Sequence, residues 1–89
     1  MTIERLAKFS KHDQLLILGS EFERARVWQN TDQEKFRLAL DRALEIINLL
    51  LLDPKWNWEL DQLSFLRDEI LKFASGENKE EIGVLYRAL

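Results

Sequence analysis

Apolar residues recur along most of the chain at intervals of three and four residues, a spacing that places them on one face of an α-helix. In the first long stretch they are Leu15, Leu18, Phe22 and Ala25. The sequence shows neither the alternating apolar pattern of a half-buried strand nor a repeat of fixed period. The pattern therefore predicts an all-α protein.

Capping residues divide this pattern into helices. Ser10, with Asp13 three residues later, is typical of a helix start. We expect the first long helix to run from there to about Gln29. A short segment precedes it, capped by Thr2 and ending near Phe9.

The second long helix has the widest apolar arc of the chain. Thr31 and Glu34 match the capping box, in which a hydroxyl and a carboxylate satisfy each other's backbone donors. Pro54 cannot continue a helix, so this one ends by Asp53. The dipeptide Asp53-Pro54 also predicts the start of the next helix, because Asp53 is a good N-cap and proline fits the first helical position.

The third long helix carries its apolar residues on one side. They are Trp56, Leu60, Leu63, Leu66, Ile70 and Phe73. Ser75 and Gly76 predict its end, because glycine suits the left-handed conformation of a helix C-terminus. Beyond it, Asn78 with Glu81 predicts the start of a short last helix. The apolar face of that helix holds Ile82, Leu85 and Leu89.

Short connections make neighbouring long helices antiparallel. We therefore expect an up-down-up three-helix bundle with a short N-terminal segment and a short C-terminal fourth helix. Residues 1–89 form one domain, since so short a chain cannot fill a second core. This arrangement places His12 near Trp56 and Trp58 at one end of the bundle. The other end gathers Trp28, Phe36 and Phe73.

Composition and charge narrow the classes of function. The net charge of −3 is spread over mixed acidic and basic residues, which disfavours nucleic-acid binding because such proteins present a basic face to phosphates. The chain contains no cysteine, which excludes disulfides and thiolate metal sites. No apolar run approaches the roughly 20 residues of a membrane helix. We expect a cytoplasmic protein that does not associate with membranes.

No pattern of residues points to catalysis. The single histidine excludes a di-iron site built from two Glu-x-x-His motifs. The three glycines are isolated from one another and form no phosphate-binding loop. The carboxylates lie among other polar residues, as solvated surface charges do. We predict a non-enzymatic protein without catalytic residues, metal or cofactor.

A nucleic-acid-associated function is the alternative. A modest basic group consists of Arg24, Arg26, Arg37 and Arg42. Arg5 and His12, separated by six residues, form a pair that resembles the arginine–histidine motif of the HEPN family of helical ribonucleases. The resemblance implies ribonuclease activity by this pair in a cleft between two subunits. In that family the pair lies on a late helix, whereas here it is N-terminal and straddles the predicted cap at Ser10.

Five apolar residues do not fit the core-facing sides of the second and third helices, because at 3.6 residues per turn they fall among charged residues. They are Leu38, Leu49, Leu52, Trp58 and Phe65. Either the terminal segments of the same chain cover them, or a second copy or another helical protein does. The sequence does not decide between these two ways of covering the five residues. Our functional hypothesis depends on the second: protein–protein association, with a symmetric homodimer as the favoured form.

Overall fold

Helices are the only regular secondary structure in residues 2–89, which are the residues that the computed structural model describes. The α-helices are α1 (Ile3–Leu6), α2 (Lys11–Trp28), α3 (Gln33–Leu50), α4 (Leu60–Ala74) and α5 (Gly83–Arg87). A 3-10 turn, Pro54–Trp56, lies between α3 and α4. The predicted all-α class is confirmed.

The three long helices form the predicted antiparallel bundle, with α3 in the middle. α3 packs against both α2 and α4, while α2 and α4 make few contacts with each other. The short helices complete the structure, since α1 packs on α3 and α5 packs on α2. The largest fully buried apolar side chains include Phe22, Leu18, Leu40, Ile47, Leu63 and Ile70.

Side-chain caps begin the first two helices where the sequence predicts. The hydroxyl of Thr2 accepts a 3.3 Å hydrogen bond from a backbone N–H of α1. The hydroxyl of Ser10 accepts one of 3.1 Å from the backbone N–H of Asp13. α1 ends at Leu6, so only the first half of the segment predicted to reach Phe9 is helical.

The N-cap of α3 is Asp32 and not Thr31, which corrects the predicted capping box. The Asp32 carboxylate accepts a 3.1 Å hydrogen bond from the backbone N–H of Lys35. Thr31 lies in the preceding turn, where its hydroxyl donates to the carbonyl of Val27 at 3.3 Å. Aspartate is a slightly better N-cap than threonine, so the start of the helix moves by one residue.

The third long helix begins later than predicted. Asp53 caps only the 3-10 turn Pro54–Trp56, and α4 starts at Leu60. The cause is Trp56, which turns inward and is buried against α2, where it donates a hydrogen bond to Gln14. This contact directs the chain away from the path that a continuous helix would follow.

α4 ends at the predicted stop. Gly76 has a φ of +82°, the left-handed conformation that glycine adopts without strain. The backbone N–H of Gly76 donates to the carbonyl of Phe73 at 3.2 Å, and the N–H of Asn78 donates to the carbonyl of Lys72 at 3.0 Å. These bonds satisfy carbonyl groups that the end of the helix would otherwise leave free.

The last helix lies against the middle of α2. Ile82 and Leu85 are buried in the common core. Gly19 makes the close approach possible, because a β-carbon at this position would lie 3.0 Å from a ring carbon of Tyr86 and 3.3 Å from a methyl carbon of Leu89. A larger residue at position 19 would therefore push α5 outward.

One side chain at the end of α2 anchors the segment that leads into α5. The amide nitrogen of Gln29 donates to the carbonyl of Glu80 at 2.6 Å. Its amide oxygen accepts from the backbone N–H of Ile82 at 2.8 Å. Gln29 therefore fixes the direction in which the chain enters α5.

Candidate interaction surfaces

A buried polar cluster connects the start of α2 with the turn before α4. The amide nitrogen of Gln14 donates to the carbonyl of Leu6 at 2.9 Å and to Asp53 Oδ2 at 3.0 Å. Its amide oxygen accepts a 2.7 Å hydrogen bond from Trp56 Nε1. All three polar side chains are buried and bonded to one another, so the cluster is structural. Sequence analysis missed it, although Gln14 precedes Leu18 by four residues on the core-facing side of α2.

The carboxylate of Asp53 is the charged member of this cluster. Burial raises its pKa, but hydrogen bonds from the Lys55 backbone, the Gln14 amide and the Lys55 side chain lower it by more. The pKa of Asp53 therefore lies below its ordinary value. The Lys55 ammonium lies 3.0 Å from Asp53 Oδ2 and donates to the carbonyl of Ala7 at 2.7 Å. This lysine connects the cluster to the end of α1.

An apolar groove with a volume of about 540 Å³ opens between α2 and α4. We call it the α2–α4 groove; its apolar lining residues are Leu15, Trp56, Leu63, Phe65, Leu66, Ala88 and Leu89. Asp61 and Gln62 complete the lining. Phe65 is 59% exposed, so a large part of its ring faces solvent. The groove exists because α2 and α4 both pack on α3 without closing on each other.

A second depression, of about 260 Å³, lies between α2 and α3. We call it the α2–α3 cleft; its lining residues are Arg24, Trp28, Lys35, Leu38, Ala39 and Arg42. It shares no residue with the α2–α4 groove. These two concave sites are thus separate, one mostly apolar and one rich in cations.

The structure distributes the five predicted interface residues over different places. Phe65 lines the α2–α4 groove, and Leu38, 50% exposed, lines the α2–α3 cleft. Leu52 and Trp58 lie in the connection between α3 and α4 and are 72% and 96% exposed. The outward position predicted for Leu49 is wrong, because this residue is half-buried against the core.

The terminal segments do not cover the exposed members of this set. Leu6 of α1 and Leu85 of α5 are buried in the core itself. Leu38 and Trp58 remain exposed, and Phe65 keeps most of its ring in solvent although Ala88 and Leu89 line the same groove. Apolar surface is therefore left over after both ends of the chain have packed.

The arginine–histidine pair lies on two helices. Arg5 is exposed in α1 and His12 is exposed in the first turn of α2, with the Ser10 cap between them as predicted. It is the ammonium of Lys11 that lies over the Trp56 ring, 4.8 Å from its centre. The resemblance to a ribonuclease motif stays a prediction.

Within residues 2–89, no three histidine or carboxylate side chains are grouped as metal ligands would be. No helix in this part of the chain has the length and apolar character needed to cross a membrane. Comparisons of the chain with models of protein families, with curated proteins and with solved structures gave no match.

Proposed function

We propose that this protein acts by protein–protein association and that two copies form a symmetric dimer through α4. The observation that carries the proposal is the α2–α4 groove, an apolar hole of about 540 Å³ with the exposed ring of Phe65 at its edge. A hole and a protruding side chain on one surface are what a two-fold axis requires. Each copy then inserts its Phe65 into the groove of the other.

The charges along α4 fit the same pairing. Asp61, Phe65, Asp68 and Lys72 follow one another at steps of four, three and four residues, so they lie along one side of the helix. When two α4 helices run antiparallel about a two-fold axis, Asp61 near the start of one copy lies towards Lys72 near the end of the other, and this happens at both ends of the pair. Such rim charges set register and orientation more than they add affinity.

The monomer gains by covering this surface. A chain this small buries a smaller share of its surface than a larger protein, which leaves its fold marginal. Burying one aromatic side chain contributes about 1.5–3 kcal/mol. A standard interface of about 800 Å² per partner would take about a seventh of the 5750 Å² accessible surface. Trp58, two residues before the start of α4, is a second exposed aromatic side chain in this part of the sequence.

The proposal includes a non-catalytic role and a cytoplasmic location. The buried cluster of Gln14, Asp53 and Trp56 is bonded internally, so these groups serve the fold and not a substrate. The lack of cysteine fits a reducing compartment, in which disulfides do not support folding.

Sedimentation velocity at high micromolar concentration tests the dimer. We expect the wild-type chain to show twice the 10.6 kDa monomer mass and Phe65→Asp to show the monomer mass with unchanged helicity by circular dichroism. Leu16→Asp is the matched control, since Leu16 is 54% exposed on α2 and lines neither concave site. A wild-type chain that stays monomeric, or a Phe65→Asp variant that stays dimeric, would contradict the proposal.

A further inference from the structure

The α2–α3 cleft is basic although the protein as a whole is acidic. Of its six lining residues, three are cations and none is a carboxylate, whereas the net charge of the chain is −3. The cations are Arg24, Lys35 and Arg42. The carboxylates nearest to it lie in the adjoining depression, which Arg42 lines together with Glu21 and Glu45.

Contacts within the protein hold two of these cations in place. The Lys35 ammonium lies 4.2 Å from the centre of the Trp28 ring, within the range of a cation–π interaction. Arg24 Nη1 lies 2.9 Å from Glu21 Oε1. Arg42 is exposed on α3 and belongs to no ion pair within residues 2–89. The cleft thus has one end fixed on a tryptophan and one arginine available to a partner.

An apolar contact point lies between the cations. Leu38 is half exposed, with Ala39 buried next to it and Trp28 half-buried on the facing helix. Lys35, Leu38 and Arg42 follow one another at steps of three and four residues, so they form one row along α3. The row reads cation, apolar residue, cation over about 10 Å, which is two helical turns.

We infer that the α2–α3 cleft binds an amphipathic helix of a partner protein in which acidic residues flank one apolar anchor. A leucine or phenylalanine of that helix packs on Leu38 and the edge of Trp28. A glutamate about one turn to either side meets Lys35 and Arg42 in charge-assisted hydrogen bonds. This interaction is separate from the dimer, because the cleft and the α2–α4 groove share no residue.

Two other occupants fit the cleft less well. Nucleic acid would bring a run of phosphates, and these would meet Asp41 and Glu45, which alternate with Arg42 along α3. A second copy docked on the same cleft by a two-fold axis would set cations against cations, which disfavours such a pairing. A helix with only two glutamates, one for Lys35 and one for Arg42, brings fewer negative charges towards Asp41 and Glu45 than a run of phosphates does, and it sets no cations against each other.

The test uses a fluorescein-labelled synthetic peptide of alanine-rich helical sequence, with a central leucine and a glutamate three residues before it and four after it. Its binding to the full chain is followed by fluorescence anisotropy. The chain carries Phe65→Asp, so that the cleft is tested in the absence of the proposed dimer. We expect saturable binding that weakens with added salt, because exposed charges are screened. Arg42→Glu and Leu38→Asp should each weaken it about tenfold or more.

Matched controls separate the cleft from a general attraction. Arg37→Glu, on a different side of α3, should leave the affinity unchanged. A peptide with lysine in place of both glutamates should not bind. Absence of saturable binding, equal affinity for the lysine peptide, or binding of a single-stranded oligonucleotide in place of the peptide would each overturn the inference. Failure of the dimer alone leaves it intact, since the two sites are disjoint.

Discussion

The indole N–H of Trp56 donates a 2.7 Å hydrogen bond to the side-chain oxygen of Gln14, across 42 positions of sequence. The nitrogen of the same amide bonds to Asp53 and to the end of α1. A fully buried glutamine is tolerated only when its polar atoms have partners, and here both do. One amide thereby joins α1, α2 and the turn before α4.

Replacing this amide should therefore destabilise the whole fold. Gln14→Ala leaves the Trp56 N–H without its acceptor and opens a cavity, for which we expect a loss of about 2–4 kcal/mol in the free energy of unfolding. Urea denaturation measures it. Gln33→Ala is the control, because Gln33 is exposed at the start of α3 and should cost less than about 1 kcal/mol. Equal losses for the two variants would contradict the role given to Gln14.

Acid should act on the same cluster through Asp53. Its folded-state pKa lies below the ordinary value, so its contribution to stability is complete above the unfolded pKa of about 3.9 and is lost as pH falls through the folded pKa. We expect Asp53→Asn to be less stable than wild type near neutral pH and the difference to shrink in acid. Urea denaturation at a series of pH values shows this. The prediction would be contradicted if the difference in stability between Asp53→Asn and wild type did not vary with pH. It would also be contradicted if Asp41→Asn, at an exposed position, had an equal effect.

The end of α4 depends on the left-handed conformation of Gly76. A β-carbon there would meet no atom within 4 Å, so substitution costs backbone strain alone. We expect Gly76→Ala to lower the free energy of unfolding by about 1–2 kcal/mol. Gly76→Asn should cost less, because asparagine visits this conformation more readily. Thermal or urea denaturation of the two variants provides the comparison, and an alanine variant as stable as wild type would contradict the prediction.

The contact between α2 and α5 depends on the missing side chain at Gly19. Gly19→Val should displace Tyr86 and loosen α5 without weakening α2, since valine has a higher helix propensity than glycine. We expect the backbone amide of Leu85 to exchange hydrogen faster, while amides in the middle of α3 keep their protection. Ser20→Val, at the neighbouring exposed position of α2, should change neither. If hydrogen exchange in α5 were the same in Gly19→Val as in wild type, α2 and α5 would not be in tight contact at this position.

Charge reversal tests the orientation proposed for the dimer. Lys72→Glu and Asp61→Lys should each raise the dimer dissociation constant, because each places like charges opposite one another in the antiparallel pairing. The double variant should recover much of the wild-type affinity. Sedimentation equilibrium measures the three constants. A double variant weaker than both single variants would exclude this antiparallel pairing of α4 on α4.

Local signals predicted the start of α2 and the ends of α2 and α4, whereas α3, α4 and α5 all begin later than predicted. The start of α5 predicted at Asn78 is wrong, because this helix begins at Gly83. The caps at Ser10 and Gly76 act through hydrogen bonds to residues a few positions away, so the sequence alone indicates them. The start of α4 was mispredicted because it depends on Trp56 and Gln14, which are far apart in sequence. The dipeptide Asp53-Pro54 favours a helix start, but the helix that begins there ends at Trp56, whose indole ring is buried.

The candidate sites, too, could be predicted from the sequence only in part. The exposure of Phe65 and Leu38 follows from helical spacing, and the structure places both at concave sites. Leu49 packs partly against the core, which its position among polar residues of α3 did not indicate. The α2–α4 groove itself could not be predicted, since it depends on how far apart α2 and α4 lie in the folded chain.

The anchoring of α5 by Gln29 also bears on the order of folding. Each long helix packs on its neighbour in sequence, whereas the bond between Gln29 and Ile82 closes a loop of 53 positions. Loop closure costs conformational entropy before its contacts compensate, so we expect α5 to dock after the α2–α3 and α3–α4 hairpins have formed. Before that step, the apolar surface that Ile82 and Leu85 cover in the folded protein is exposed to solvent. We therefore expect the chain to be prone to aggregation when it refolds at high concentration.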